Sequence, residues 1–267
     1  MTLDTLHHIL NDILCEIDSA CKAEKVPYML GGGTMLGAVR HKGFIPWDDD
    51  ADICVWLDDY PALCDALTKH LPSYMSLTTP ADLLPNFFDF VTRVQDTRYT
   101  WHDETLEDKF YNNKQNHICV DIFIVTSSAN SIWEQKLRSL QLKTCYGLAM
   151  GHRYQLDYNK YNNLQKAQVK VLASIGRRLS MQYIIRKYSS LCKKMGHMPK
   201  KYCLVVNDLP KYLGLLYESD WFKGTIDFPF ENQIFPVQKG FHEKMSLQYG
   251  DYMKPPKNMD AFQKHLN

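Results

Sequence analysis

The sequence predicts an α/β (α+β) fold, a small mixed β-sheet flanked by helices and followed by a mainly helical C-terminal lobe. Three observations lead there. Leu3, Leu6, Ile9, Leu10, Ile13, Leu14 and Ile17 recur at helical spacing. Two short runs rich in β-branched residues, Ala51 to Leu57 and Ile118 to Val125, have the length and composition of strands. From about residue 131 to 195 helical spacing returns, with basic residues between apolar ones. A chain of 267 residues with 45% hydrophobic content can bury a substantial core, divided here into a core over residues 1–130 and a lobe over 131–267.

In chain order, the pattern predicts an opening helix over 3–24, a strand over 27–31, a glycine turn and a short helix over 34–41. An acidic loop, a strand over 51–57 and a helix over 59–71 follow. Strands near 87–95 and 118–125 complete the expected sheet. Between them lies a polar and aromatic loop over 96–117, whose Tyr99, Trp101, Phe110 and Tyr111 could box a quaternary ammonium or serve as ordinary packing residues. Beyond Lys223 the aromatic and proline-rich sequence, including Phe228-Pro229-Phe230-Glu231, predicts irregular structure folded over the core.

The chemistry concentrates at residues 31–53. Asp48, Asp49, Asp50 and Asp52 place four carboxylates in five positions, a charge density that water or a cation must relieve. Alternation along the following strand puts Asp50 and Asp52 on one face and Ala51 and Ile53 on the other. Oxygen-only ligation of that kind suits Mg2+ or Mn2+. A calcium loop starting at Asp48 fails because Ile53 stands where the sharp turn needs glycine. Upstream, Gly31-Gly32-Gly33-Thr34 opens a helix and offers bare amides to a phosphate, or simply a turn. Arg40, His41 and Lys42 place cations just before the acidic loop, for a phosphate or for ion pairs with Asp48 and Asp49. Asp121 interrupts the apolar run 118–125, where a carboxylate needs a cation, a basic partner or an exposed edge position.

The segment Gly32-Gly33-Thr34-Met35-Leu36-Gly37-Ala38-Val39-Arg40-His41-Lys42-Gly43-Phe44-Ile45-Pro46-Trp47-Asp48-Asp49-Asp50-Ala51-Asp52 resembles the signature of the LicD family, which includes bacterial phosphocholine transferases and is related to fukutin and fukutin-related protein. Val120-Asp121-Ile122-Phe123 is similar to the family's later strand, and Tyr249-Gly250-Asp251-Tyr252-Met253 with Pro255-Pro256 to its closing motif. A departure is Ile124-Val125-Thr126, where the family often has a proline and a further acidic residue. The resemblance implies a nucleotidyltransferase-like core in which Asp50, Asp52 and Asp121 are catalytic and hold a divalent metal. Asp48 and Asp49 then support these ligands or bind a second metal, and Gly32, Gly33, Thr34, Arg40, His41 and Lys42 face the donor phosphates. The implied reaction moves a phospho-alcohol from a CDP-linked donor to a sugar hydroxyl and releases CMP. The expected donor is CDP-choline, and the expected acceptor a glycan or lipid-linked glycan of lipopolysaccharide, capsule or teichoic acid. Ribitol phosphate or glycerol phosphate transfer, a metal-dependent glycosyltransferase using a nucleotide sugar, and an inactive binding module are the alternatives.

Charge and cysteine usage bound the setting. Residues 158–207 contain eleven Lys and Arg and no Asp or Glu, so with a whole-chain charge of +1 the remainder carries about −10. That stretch suits an electrostatic wall for the donor, a peripheral membrane contact on anionic lipid, or a solvated face. Nucleic-acid binding lacks both a motif and a basic pI, since the sequence pI is 7.6. Eight cysteines without a C-x-x-C pair predict free thiols in a reducing compartment. No run approaches the roughly 18 apolar residues of a membrane span. The expected location is therefore cytoplasmic, at the inner membrane face where the basic stretch meets lipid.

Overall fold

A computed structural model describes residues 1–196 and 198–255. The first helix, α1 (Leu3–Glu24), is where the spacing predicts it. Its start is capped by Thr2, whose hydroxyl accepts from the Thr5 amide, and it ends at Lys25 in the left-handed conformation. Its inner face, including Leu6, Leu10, Ile13, Leu14 and Ile17, is wholly buried. Each of those side chains contributes about 1.5–3 kcal/mol by leaving water.

The sheet runs β1 (Met29–Leu30), β2 (Asp52–Trp56), β5 (His117–Ala129), β4 (Thr92–Thr100) and β3 (Met75–Thr78) from edge to edge, with β6 (Tyr202–Val205) also paired to β5 and β7 (Tyr217–Glu218) to β6. It is mixed: β2 and β5 are parallel and the other neighbours antiparallel. The interior strand β5 therefore supports three partners. On β5, between Ile122, paired to the start of β4, and Val125, paired to the end of β6, Asn207 fills the gap. Its carboxamide accepts from the Ile124 amide at 2.7 Å and donates to the Ile122 carbonyl at 2.8 Å, standing in for a strand backbone.

Alternation gives the sheet two unlike faces. Ile53, Val55, Ile118, Val120, Ile122 and Ile124 point to the main core, which α1 and the helices α3 (Tyr60–His70), α5 (Ile132–Ala149) and α7 (Met181–Gly196) help to cover. Cys54 and Val125, joined by Cys203, Tyr217 and Phe222, form a second, smaller cluster on the opposite face. Asp52 and Asp121 stand on that opposite face, beside the smaller cluster.

Four expectations need correction. The strand near 87–95 starts at Thr92, because 87–91 is held as irregular chain by Asp89, whose carboxylate accepts from the Val91 amide. Strand β3 was not anticipated. The stretch 96–117 is not one long loop: β4 runs to Thr100, and a short helix, α4 (Leu106–Phe110), follows a Thr105–Asp108 capping box. Beyond Lys223 the chain forms a hairpin of β8 (Thr225–Phe230) and β9 (Gln233–Gln238), whose Pro229 and Pro236 are tolerated because a two-stranded ribbon has outward edges. Among the described residues the C-terminal half thus adds four strands to its helices, two of them in the main sheet. All eight cysteines are free, and no helix among the described residues is long and apolar enough to cross a membrane.

Candidate active site

The glycine stretch begins a helix rather than a loop: α2 (Gly32–His41) has Gly31 as its N-cap. Its start is fastened to β2 through both backbone groups of Asp52, whose amide donates to Thr34 Oγ1 at 2.8 Å and whose carbonyl accepts from the Gly31 amide at 2.9 Å. Thr34 is therefore buried and spent on positioning Asp52. A methyl group on Gly32 would run into Asp52 Oδ2, and one on Gly33 into Asp48 Oδ2. At Gly32 the positive φ of 43° adds a second reason for glycine. The carboxylates thus press against the helix start, where the positive end of the dipole favours them.

Asp50 lies in the loop before β2, not on the strand. It gathers with Asp48 and Asp49 into a group whose ligand oxygens all lie within 4.8 Å of one another. Asp52, the first residue of β2, stands in register opposite Asp121 on the parallel β5, and the Asp121 amide donates to the Ala51 carbonyl at 2.9 Å. The close ligand group is therefore the loop triplet, whereas Asp52 and Asp121 form a separate in-register pair at the start of β2, and Asp50 gathers with Asp48 and Asp49 rather than with that pair. Asp49 is completely buried, while Asp48, Asp50 and Asp52 are half-buried. An oxygen-only cluster of this density fits a hard divalent cation.

The cations separate. Arg40, His41 and Lys42 sit at the far end of α2, with the Arg40 Cα about 12 Å from that of Gly32 by helix rise. Arg40 Nη1 donates to the Tyr252 carbonyl at 2.6 Å, and its guanidinium lies 5.8 Å from the Trp47 ring centre. Burial lowers its pKa while neighbouring Asp48 raises it. Burial and Arg40 together lower the pKa of His41, whose ring meets Trp47 edge-on. Lys42 closes the helix in the left-handed conformation.

Other groups fix the loop from outside. His7 on α1 stacks on Phe44 at 4.5 Å and bonds the Asp48 carbonyl at 2.7 Å. At the tip of the β8–β9 hairpin, Glu231 accepts from the Phe44 amide at 3.0 Å and donates its own amide to the Lys42 carbonyl at 2.8 Å.

Asp121 has a basic partner, Arg93 on β4. Arg93 Nε donates to Asp121 Oδ1 at 3.0 Å, while Nη1 and Nη2 form a fork on Asp89 at 3.0 and 2.7 Å. Burial works against the Arg93 charge, but the two carboxylates override it and hold its pKa well above the usual value. Tyr249, at the end of α8 (Phe241–Tyr249), is 41% exposed overall. Its phenol is crowded by burial and then by Asp52 and Asp48, which push its pKa up. The sequence marked Tyr249 only as part of a closing motif, and it marked neither Arg93, Asp89, His7 nor Glu231. The four aromatics of 99–111 do not converge on a box: Tyr111 is buried and donates to the Phe87 carbonyl, while Tyr99 is exposed beside Arg98.

Residues 25–147 match the LicD/FKTN/FKRP nucleotidyltransferase domain. The chain thus carries a LicD-family domain over these residues. It is 28% identical to the lipopolysaccharide cholinephosphotransferase LicD of Haemophilus influenzae over 273 aligned residues, which cover 100% of this chain and 97% of that protein. The ribitol 5-phosphate transferases FKRP of mouse and human are 50% identical to it over 38 residues, 14% of this chain and 8% of theirs. The LicD domain holds α2, the acidic loop, β2, β4 and β5, and so all five carboxylates and Arg93. Tyr249 and the hairpin lie beyond it. Pro256 of the closing motif is outside the described residues.

Proposed function

We propose that this LicD-domain protein transfers phosphocholine from CDP-choline to a sugar hydroxyl of a cell-surface glycan or its precursor, with a divalent cation. The observations that support the reading are the in-register pairing of Asp52 and Asp121 on parallel strands and the Asp48–Asp49–Asp50 cluster in the loop that leads into β2. The full-length likeness to a lipopolysaccharide cholinephosphotransferase supports choline as the alcohol.

In this scheme Asp50, Asp52 and Asp121 hold the cation, with Asp48 and Asp49 as supporting ligands. Bound Mg2+ or Mn2+ supplies Lewis-acid neutralisation of the diphosphate and of the charge on departing CMP. Gly32 and Gly33 let the Asp52 and Asp48 carboxylates lie against the α2 start, and Arg40 adds positive charge beside Asp48. Thr34 positions Asp52. The acceptor oxygen forms a bond to the phosphorus of the phosphocholine group while the phosphorus–oxygen bond to CMP breaks, its electron pair leaving with CMP. The hydroxyl proton passes to Asp121, held in place by Arg93. A carboxylate is a weak base at an ordinary pKa of about 3.9, so proton loss follows rather than precedes phosphorus–oxygen bond formation.

Local identity to ribitol 5-phosphate transferases favours ribitol phosphate as a second reading of the donor. The test is CMP release from CDP-choline, CDP-ribitol and CDP-glycerol with Mg2+ or Mn2+ and a glycan acceptor, alongside Asp52→Ala. Acceptor-dependent CMP from CDP-choline, lowered at least about a thousandfold in the variant, is the expected result. CMP from another donor reassigns the alcohol. Consumption of nucleotide sugars instead indicates a glycosyltransferase, and binding without turnover an inactive module.

A further inference from the structure

The basic stretch resolves into two helices with outward faces of complementary character. On α6 (Asn163–Gly176), Ala173 and Gly176 face inward, and Gly176 approaches the Leu148 backbone too closely to admit a side chain. Leu164, Val171 and Ile175, spaced seven and four residues apart, form one stripe on the outside and are 70%, 59% and 49% exposed. Helices of globular proteins keep such stripes inside. On α7 the opposite arrangement holds: Met181, Ile184, Tyr188, Cys192 and Met195 are buried, which turns Tyr183, Arg186, Lys187, Lys193 and Lys194 outward. Among the described residues none of these four cations forms an ion pair, and no carboxylate occurs between Tyr158 and Asn207 to offer one. Both helices pack on α5.

We propose that the outward faces of α6 and α7 dock the protein on an anionic phospholipid bilayer. Headgroup phosphates meet the unpaired cations of α7, and the apolar stripe of α6 enters the boundary between headgroups and acyl chains. Tyr183, with Lys187 lying 5.5 Å from its ring centre, has the amphipathic form that settles at such a boundary. The exposed stripe is what selects lipid over a nucleic acid, whose phosphate backbone asks for cations alone. A second copy of the chain fits poorly, because pairing two such faces opposes cation to cation. The surface lies outside the carboxylate site, and the inference stands whichever alcohol is transferred.

The experiment is cosedimentation of the full chain with phosphatidylcholine vesicles, with and without phosphatidylglycerol, at low and physiological salt. The expected result is binding to the anionic vesicles, weakening as salt rises. Combined Arg186→Glu, Lys193→Glu and Lys194→Glu lowers that binding about a hundredfold or more. Val171→Ser with Ile175→Ser lowers it at both salt concentrations. All these side chains lie on outward helix faces, so circular dichroism and CMP release with a water-soluble acceptor stay as in the parent protein. Absence of binding to anionic vesicles, equal binding to neutral ones, or binding insensitive to both sets of variants overturns the proposal. Retention of the parent chain by RNA but not by vesicles overturns it in favour of an acidic polymer. Failure of CMP release in every variant and in the parent, with vesicle binding intact, counts against the transferase reading alone.

Discussion

Arg93 joins stability to chemistry and can be tested for both. It is 8% exposed and carries three charge-assisted hydrogen bonds, two to Asp89 and one to Asp121. Arg93→Met preserves most of the apolar stem but leaves two carboxylates without their cation. Removing one partner of a buried ion pair costs about 3–5 kcal/mol, and Asp89, 9% exposed, is too enclosed for water to take over. Asp121 is the more accessible, its side chain 27% exposed, so the lower end of the range is expected. Urea denaturation followed by far-UV circular dichroism measures the loss. Asp89→Leu combined with Arg93→Met should recover part of it, because the stranded charge at 89 is then gone. Arg93→Lys separates the two roles: the charge stays while the fork and the Nε contact are lost. That variant should fold, retain most of the stability, and release CMP at least about tenfold more slowly through kcat, since a ligand left to swing fails to hold its geometry. Parent-like stability for Arg93→Met, or parent-like kcat for Arg93→Lys, would refute the argument that this guanidinium fixes Asp121.

Three further perturbations follow from single contacts. Asn207→Leu strands the Ile124 amide and the Ile122 carbonyl, at about 1–3 kcal/mol each, and should lower the urea midpoint by more than Asn207→Asp, which keeps the acceptor. Gly33→Ala drives a methyl group into the Asp48 carboxylate, so a cost of about 1–3 kcal/mol and a fall in CMP release are expected; unchanged turnover would show that Asp48 can move without consequence. The His41 pKa is lowered in the folded protein by burial and by Arg40. As pH falls through the ordinary histidine value the unfolded chain therefore takes up the proton first, and stability declines on the acid side. His41→Gln should remove that part of the decline, which denaturation midpoints between pH 5 and 8 would detect.

How far the sequence discloses this molecule depends on the range of the interaction. Helix α1 was legible to the residue because its signal, apolar residues at helical spacing, is local. The strands β2 and β5 were legible for the same reason, though their register was not. Hence the sequence grouped Asp50 with Asp52 by alternation, whereas the strand begins only at Asp52 and Asp50 lies in the preceding loop with Asp48 and Asp49. The hairpin was missed because two prolines argue against a strand, and only the absence of a third strand makes them harmless. Asn207 carried no signal, since a carboxamide that replaces a strand is recognised only when β5 is beside it.

Asp121 shows where the limit falls. Its position in an apolar run announced a cost, and the sequence could state the kinds of partner that would offset it. The partner chosen, Arg93, lies on another strand and is shared with Asp89, four residues earlier in irregular chain, where an i,i+4 pair suggests a helix and is not one. Asp121 thus takes the basic partner on one side, and stands in register with Asp52 on the other. A carboxylate held by a buried arginine does not need a metal to remain in a central strand, so its placement by itself is no measure of metal binding. Magnesium titration of the fold supplies that measure. If Asp48, Asp49, Asp50 and Asp52 share a cation, added Mg2+ or Mn2+ raises the denaturation midpoint of the parent protein, with the logarithm of free cation concentration once that exceeds the Kd, and the rise vanishes in Asp50→Asn while persisting in Arg93→Lys. A rise that survives Asp50→Asn locates the cation away from the acidic loop.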